Sequence, residues 1–306
     1  MKKLILIDGN AIVHRSFHAL PPLTNRKGEM TNAVYGFSSV LIKVINELKP
    51  DYMVATFDLA APTFRHLEYD QYKAKRVKAP DELYAQIPKT KDVLTAFGIP
   101  ILEKEGFEAD DIIGTVAKKY TNKEINILII TGDLDTLQLV DDNIRVYTMK
   151  KGLNDTIVYG EKEVEERYGL KVNQMIDYKA LRGDPSDNIP GVKGIGEITA
   201  TSLLKEFGTL ENLYKNVDKV KSKNVMEKLK KDKQMAFFSK GLATICLSVP
   251  IKISLKELDW QNHFNMEKVR VLFEELGFHS LLRRLPGGEP QKKPEIKVKQ
   301  SNLFGN

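Results

Sequence analysis

Leu4-Ile5-Leu6-Ile7 is an unbroken apolar run that stops at Asp8-Gly9-Asn10. A run without polar alternation predicts a strand buried on both faces, as in a parallel sheet. Val34, Phe37, Leu41, Val44, Ile45 and Leu48 then recur at helical spacing, and a second strand at 52–57 ends at Asp58. A helix is expected after Pro80-Asp81, running up to Gly98 with a kink at Pro88. Ile112, Ile113, Val116 and Ala117 set a further helix behind Glu108-Ala109-Asp110-Asp111. A third strand at 125–130 stops at Thr131-Gly132-Asp133-Leu134-Asp135. Strands alternating with helices predict an α/β domain around a mostly parallel central sheet.

Beyond Tyr168 strand-like runs nearly vanish, and Gly183, Gly191, Gly194, Gly196 and Gly208 punctuate helical segments. The expected domains are therefore an α/β core at 1–170 and a helical domain at 171–285. Residues 286–306, beginning Pro286-Gly287-Gly288-Glu289-Pro290, read as a disordered linker and tail.

Composition adds the setting. The 306 residues are 42% hydrophobic and 29% charged, ordinary values for a globular protein. Cys246 is the single cysteine, which excludes an internal disulfide and a cysteine-built zinc site and fits a reducing compartment. No apolar run approaches a membrane span, so a cytoplasmic protein with no membrane partner is expected. The net charge is +6. Setting the grouped carboxylates apart leaves a far more basic body, the balance of a protein that holds a polyanion.

Those carboxylates carry the chemistry. Asp8, Asp58 and Asp133 each end an apolar strand, and in an open parallel sheet those ends share the edge where ligands bind. Asp135 follows two residues after Asp133, and the Glu108-Asp110-Asp111 turn can reach the same rim. Acids in a first helical turn are often only a cap, and one aspartate after a strand commonly opens a turn. Acids converging from three strands and a helix start would repel one another unless cations lay between them. The histidines His14, His18, His66, His263 and His279 are scattered. Oxygen-only ligands point to Mg²⁺, with Mn²⁺ as substitute. Two such ions about 4 Å apart can clamp the attacking and leaving oxygens of a phosphate ester.

Gly183-Asp184-Pro185-Ser186-Asp187-Asn188 adds two acids just before Gly191-Val192-Lys193-Gly194-Ile195-Gly196. These glycines, followed by a helical run at 197–207, resemble a helix-hairpin-helix, which offers backbone N–H groups to a DNA phosphate. A nucleotide P-loop is absent. Between Phe64 and Lys78 the chain is basic and aromatic, with Arg65, Tyr69, Tyr72, Lys73, Lys75 and Arg76.

In this order Ile-Asp8-Gly-Asn, Phe-Asp58, Phe64-Arg65, Tyr72-Lys73-Ala-Lys-Arg76, Glu108-Ala-Asp110-Asp111, Thr-Gly-Asp133-Leu-Asp135, Gly-Asp184-Pro-Ser-Asp187-Asn and Gly-Val-Lys-Gly-Ile-Gly resemble the bacterial 5′ nuclease family. This family comprises the 5′→3′ exonuclease domains of DNA polymerase I and the stand-alone flap endonucleases. The resemblance covers the chain from about Lys3 to Leu285. It implies a PIN-like core with a helical arch at about 64–90, a C-terminal helical domain with the hairpin at about 183–207, and Mg²⁺-dependent cleavage of 5′ flaps, nicks and RNA primers in replication and repair. It implies a first metal among Asp8, Asp58, Glu108, Asp110 and Asp133, and a second among Asp135, Asp184 and Asp187, with Asp111 near both. It casts Asp8, Asp58 and Asp133 with Lys73 and Arg76 as catalytic, the two basic residues set against the scissile phosphate. Tyr72 would stack on a base. Arg15, Arg65, Lys179, Gly191, Lys193, Gly194 and Gly196 would contact DNA, with K⁺ at the hairpin. The protein is expected to be a monomer acting at the bacterial nucleoid.

Two competing readings stand beside it. Asp133-Leu134-Asp135-Thr136 matches the Asp-x-Asp-x-Thr of haloacid-dehalogenase-type phosphatases, which belongs after the first strand of that fold. A non-catalytic structure-selective DNA-binding protein would have no use for so many carboxylates. In the tail, Gln300-Ser301-Asn302-Leu303-Phe304 resembles a peptide that docks on a sliding clamp.

Overall fold

The computed structural model describes residues 1–121, 124–149, 152–153 and 155–285. The linker and tail expected at 286–306, and with them the clamp-type peptide expected at 300–304, lie outside the described residues. The chain opens with β1 (Lys2–Asp8), α1 (Gly9–Ala19), α2 (Asn32–Leu48) and β2 (Tyr52–Thr56). Three short helices follow, α3 (Phe64–Glu68), α4 (Asp81–Tyr84) and α5 (Ile87–Ala96), then the two-residue strand β3 (Ile101–Leu102). α6 (Ala109–Tyr120) leads to β4 (Ile125–Ile130), β5 (Ile144–Met149), β6 (Thr156–Tyr159) and α7 (Glu161–Tyr168). The remainder is helical: α8 (Met175–Arg182), α9 (Glu197–Phe207), α10 (Leu210–Lys215), α11 (Lys223–Lys231), α12 (Lys233–Ala243), α13 (Met266–Glu275) and α14 (His279–Leu282).

The strands form one sheet in the order β3-β2-β1-β4-β5-β6, parallel except for the β5–β6 pair. The mostly parallel α/β core and the helical C-terminal half thus match the expectation. The three continuous apolar runs are the central strands β2, β1 and β4. Their alternate residues feed two cores, since successive side chains leave opposite faces of a sheet. Leu4, Leu6, Val54, Ile127 and Ile129 pack with α6 and continue into the helical half through Leu181, Leu204 and Leu229. Ile5, Ile7, Met53 and Ala55 pack with Val13, Phe37 and Leu41 of α1 and α2.

Two differences from the sequence reading have clear causes. Pro88 does not kink a long helix: it stands in the first turn of α5, where its missing N–H has no helical partner to lose. The chain instead breaks at Ala85-Gln86, and Gln86 Oε1 accepts from the Ala33 amide at 2.8 Å. Secondly, α13 and α14 return to the α/β core. Val269, Phe273, Phe278 and Leu281 join Leu94 of α5 and Phe97 just after it in the second core, and Arg284 Nη1 donates to Ser39 Oγ at 2.9 Å. The helices from α8 to α12 cover the opposite face. Among the described residues no helix is long and apolar enough to cross a membrane.

Candidate active site

Because β2, β1 and β4 are adjacent and parallel, their C-terminal ends deliver Asp8, Asp58 and Asp133 to one edge. Asp8 is 5% exposed and caps α1, accepting from the Ala11 amide at 2.9 Å and from Thr131 Oγ1 at 2.7 Å. The same Thr131 hydroxyl accepts from the Asp133 amide at 2.9 Å, and Asp133 Oδ1 accepts from the Asp135 amide at 3.0 Å. Asp58 Oδ1 accepts from the Ala109 amide at 2.8 Å, which docks the start of α6 on the strand end. Thr131 was not singled out from sequence; its signal was a lone hydroxyl ending a run of isoleucines.

The electrostatics report crowding. Burial, and then Asp58 and Asp133, push the Asp8 carboxyl up to about 7. Burial, and then Asp8, Asp133, Asp135 and Asp58, hold Asp110 well above the usual carboxylate range. Asp110 Oδ1 is buried with no hydrogen-bond donor facing it. Burial and Asp133 raise Asp135 to about 6 against the pull of Lys179. These acids share one field and want a cation. His14 on α1 feels both Arg76 and Asp58, and burial, with Arg76 and His18, lowers its pKa. It sits at the rim rather than scattered away from it, a placement that only the helix register reveals.

Lysines serve the outer carboxylates. Lys73 Nζ donates to Glu108 Oε1 at 2.7 Å and lies 3.8 Å from Asp187 Oδ2. Burial works against its charge, but Glu108 and Asp187 outweigh that and raise its pKa. Lys179 Nζ bridges Asp135 and Asp184, at 2.8 Å from Asp184 Oδ2. Burial opposes ionisation of Asp184, yet Lys179 and the Ser186 hydroxyl and amide take it down to about 2. Arg76 Nη2 reaches Asp187 Oδ1 at 3.5 Å from an otherwise half-exposed side chain. Arg15 donates to the Gly152 and Met149 carbonyls. Among the described residues, no three acidic, histidine or cysteine side chains converge tightly enough to hold an ion as they stand.

Four expected roles are corrected by burial. Arg65 is 3% exposed and faces inward, its guanidinium paired with Asp111 at 2.8 Å through both carboxylate oxygens, so it offers nothing to DNA. Asp111 is wholly buried against it, and its two oxygens also take the Cys246 and Glu108 amides, which leaves neither oxygen open for an ion in this arrangement. Tyr72 is 3% exposed; its hydroxyl lies 3.0 Å from Glu108 Oε2 and 3.2 Å from Asp187 Oδ2, its one proton shared between them, so its ring is not free to stack on a base. It packs instead with Ile189, Leu242 and Ala243, anchoring the root of the basic segment to the helical half. Gly191 is also buried, and its amide donates to Ser239 Oγ at 3.0 Å rather than to a phosphate.

The rest of the hairpin is outward. Lys193, Gly194 and Gly196 are exposed before α9, whose first amides have no helical acceptor. Lys228 Nζ donates to the Gly194 carbonyl at 3.3 Å, so an ammonium already faces the turn where K⁺ was expected. The phosphatase reading fails on topology, because Asp133-Leu134-Asp135-Thr136 follows β4 at the middle of the sheet and not a first strand.

Comparison with known proteins agrees with this geometry. Residues 3–169 match the family model for the 5'-3' exonuclease N-terminal resolvase-like domain, and residues 170–265 that for the 5'-3' exonuclease C-terminal SAM fold. DNA polymerase I of Caldicellulosiruptor bescii is 46% identical over 285 residues, covering 92% of this chain and 33% of the relative. DNA polymerase I of Bacillus subtilis is 45% identical over 302 residues, covering 99% of this chain and 34% of the relative. The chain thus spans about a third of the length of these curated relatives. In fold it resembles the T5 5'-exonuclease solved with zinc, with a TM-score of 0.65 at 19% identity, covering 90% of this chain and 99% of that one. It also resembles flap endonuclease-1 from Methanococcus jannaschii, with a TM-score of 0.54 at 20% identity and 92% of each chain covered. The resolvase-like core, the SAM-type helical half and the acidic edge between them are those of the 5'-3' exonuclease family, to which this chain belongs.

Proposed function

We propose that this chain is a structure-specific 5′→3′ exonuclease and 5′-flap endonuclease that hydrolyses phosphodiester bonds with two divalent cations, Mg²⁺ first and Mn²⁺ as substitute. The observation that carries the metal reading is Asp110: a carboxylate oxygen buried with no donor, in the field of Asp8, Asp58 and Asp133. A hard cation fits that all-oxygen set. Asp8, Asp58, Glu108, Asp110 and Asp133 would hold one ion, and Asp135, Asp184 and Asp187 the other. When bound, the ions supply activated water at neutral pH and neutralise charge on the phosphate.

The chain's own residues do the rest. Lys73 and Arg76 stand on Glu108 and Asp187 at the mouth of the site, and would be free to meet the scissile phosphate where those carboxylates held metal. A partly buried ammonium placed there would stabilise the charge that develops in the transition state. Lys193, Gly194 and Gly196 hold a duplex phosphate at the hairpin without reading sequence. T5 5'-exonuclease has been solved with zinc and a related T5 flap endonuclease with DNA and metal ions, which supports this reading. The test is cleavage of a labelled 5′-flap duplex beside a 3′-flap control. Cutting of the 5′ flap alone, stopped by EDTA, is expected; EDTA-resistant cutting or equal cutting of both flaps contradicts the proposal.

A further inference from the structure

Arg65 and Asp111 form a closed pair at the junction of three parts of the chain. An arginine has five N–H donors, and each of Arg65's meets an acceptor. Nε donates to the Leu242 carbonyl at 2.9 Å and Nη2 to the Thr244 carbonyl at 2.7 Å. Nη1 and Nη2 donate to the two Asp111 oxygens, and Nη1 also reaches Glu108 Oε2 at 3.3 Å. Asp111 is equally full. Its Oδ1 also accepts from the Cys246 amide at 2.8 Å, and its Oδ2 from the Glu108 amide at 3.0 Å.

The pair lies where α3, the start of α6 and the end of α12 meet. The carbonyls of Leu242 and Thr244 belong to the last turn of α12, whose orphan acceptors and negative dipole end suit a guanidinium. The Glu108 amide opens α6, which carries Asp110 one residue before Asp111. The segment 242–246 is tied from a second side by Gln138, which donates to the Ala243 carbonyl and accepts from the Ile245 amide. Gln138 also donates to the carbonyl of Asp135. One stretch of backbone therefore braces both acidic turns, and Arg65 is the link to the turn that bears Glu108 and Asp110.

We propose that Arg65 and Asp111 are positioning residues: they lock the helical half to the start of α6 and thereby set Glu108 and Asp110 for the metal, touching neither metal nor DNA themselves. The inference rests on the metal-dependent reading above. A bidentate, fully satisfied fork holds a helix start far more rigidly than one ammonium can. Outer partners that orient a metal's ligands are commonly worth tenfold or more in metal affinity.

The experiment uses the whole chain and compares Arg65→Met, Arg65→Lys, Asp111→Asn and the double variant Arg65→Met with Asp111→Leu. Three readouts are taken: Mn²⁺ affinity without DNA by electron paramagnetic resonance, the thermal midpoint from the single tryptophan Trp260, and the kcat and KM of flap cleavage. The single variants leave a buried charge or carbonyls unpaired and melt lower, whereas the apolar double variant recovers stability. Mn²⁺ affinity is expected to fall about tenfold in Arg65→Met and to stay low in the stable double variant, with kcat reduced and KM within about twofold. Arg65→Lys, which keeps charge but not the fork, is expected to lose several-fold in Mn²⁺ affinity while folded. Unchanged Mn²⁺ affinity in Arg65→Met and Arg65→Lys with a raised KM would make Arg65 a phosphate contact and overturn the proposal. Loss of Mn²⁺ in Asp111→Asn alone would make Asp111 a ligand, with the same result. A double variant that regains both stability and Mn²⁺ affinity would leave the pair a purely structural brace. Wild-type protein that neither binds Mn²⁺ nor cuts would remove the functional reading itself.

Discussion

Lys73 Nζ donates to Glu108 Oε1 across 2.7 Å, joining the basic segment directly to the acidic turn that opens α6. Lys73 is held there by its own backbone, since its amide donates to the Asp187 carbonyl at 2.9 Å and its φ is +55°. A cation and two of the carboxylates proposed to hold metal are thus in contact in the chain itself.

Lys73→Ala is expected to separate chemistry from binding. Single-turnover cleavage of a flap should fall about 10²- to 10³-fold, the usual cost of losing one charge-stabilising donor, while DNA affinity changes by about threefold or less. Mn²⁺ should bind more tightly, because Glu108 loses its resident ammonium. Rate and affinity falling together would contradict a transition-state role.

The crowded aspartates give the metal-free protein a distinctive pH response. Asp8 sits at about 7 in the fold, above its ordinary value, so the folded chain holds the proton longer than the unfolded one. Its stabilising contribution is complete below about pH 4 and is lost as pH rises towards 7, and Asp135, at about 6, acts in the same direction. Asp184, lowered to about 2, works oppositely, losing its contribution only below about pH 4. Asp8→Asn removes the first effect. Its stability in EDTA, read from thermal melting, should rise relative to wild type as pH goes from 4 to 7, by up to a few kcal/mol at about 1.4 kcal/mol per unit. Parallel melting curves at all pH values would contradict the assignment.

Gly191 has φ +64°, and a Cβ there would lie 2.3 Å from the Gly183 amide nitrogen. Gly191→Ala should cost at least the 1–3 kcal/mol of left-handed strain, roughly, with backbone displacement added. Gly28, at φ +78° with open space around it, supplies the control: Gly28→Ala should cost only about 1 kcal/mol. Equal losses by chemical denaturation would deny the close approach of the two turns.

Phe273 tests the return of α13 to the second core. It is fully buried, with Phe97 at a ring distance of 6.1 Å. Phe273→Ala should destabilise the chain by about 3–5 kcal/mol, measured in urea. A loss below about 1 kcal/mol would mean that α13 docks only loosely.

The central strands and the aspartates at their ends were legible in the sequence because a strand buried on both faces leaves an unbroken apolar run. β5 was not, since Ile144-Arg145-Val146 alternates as a strand near the sheet edge does, and β3 has two residues only. The carboxylates of the site were readable by type and order, but their partners were not. Arg65 reads as one more outward cation in a basic stretch until it meets the Leu242 carbonyl, 177 residues away. Burial of a charged side chain depends on such distant acceptors, and local pattern holds no trace of them. The misreadings of Tyr72 and Asp111 share that cause.

The central claim is that aspartates from three strand ends hold the metal that cuts. Asp133→Ala tests it most directly, assayed on a labelled 5′-flap duplex with Mg²⁺ and by DNA binding without cleavage. Binding within about threefold of wild type, with cleavage lowered by at least about a thousandfold, is the result expected when a metal ligand is lost. Cleavage by Asp133→Ala at the wild-type rate would contradict the account.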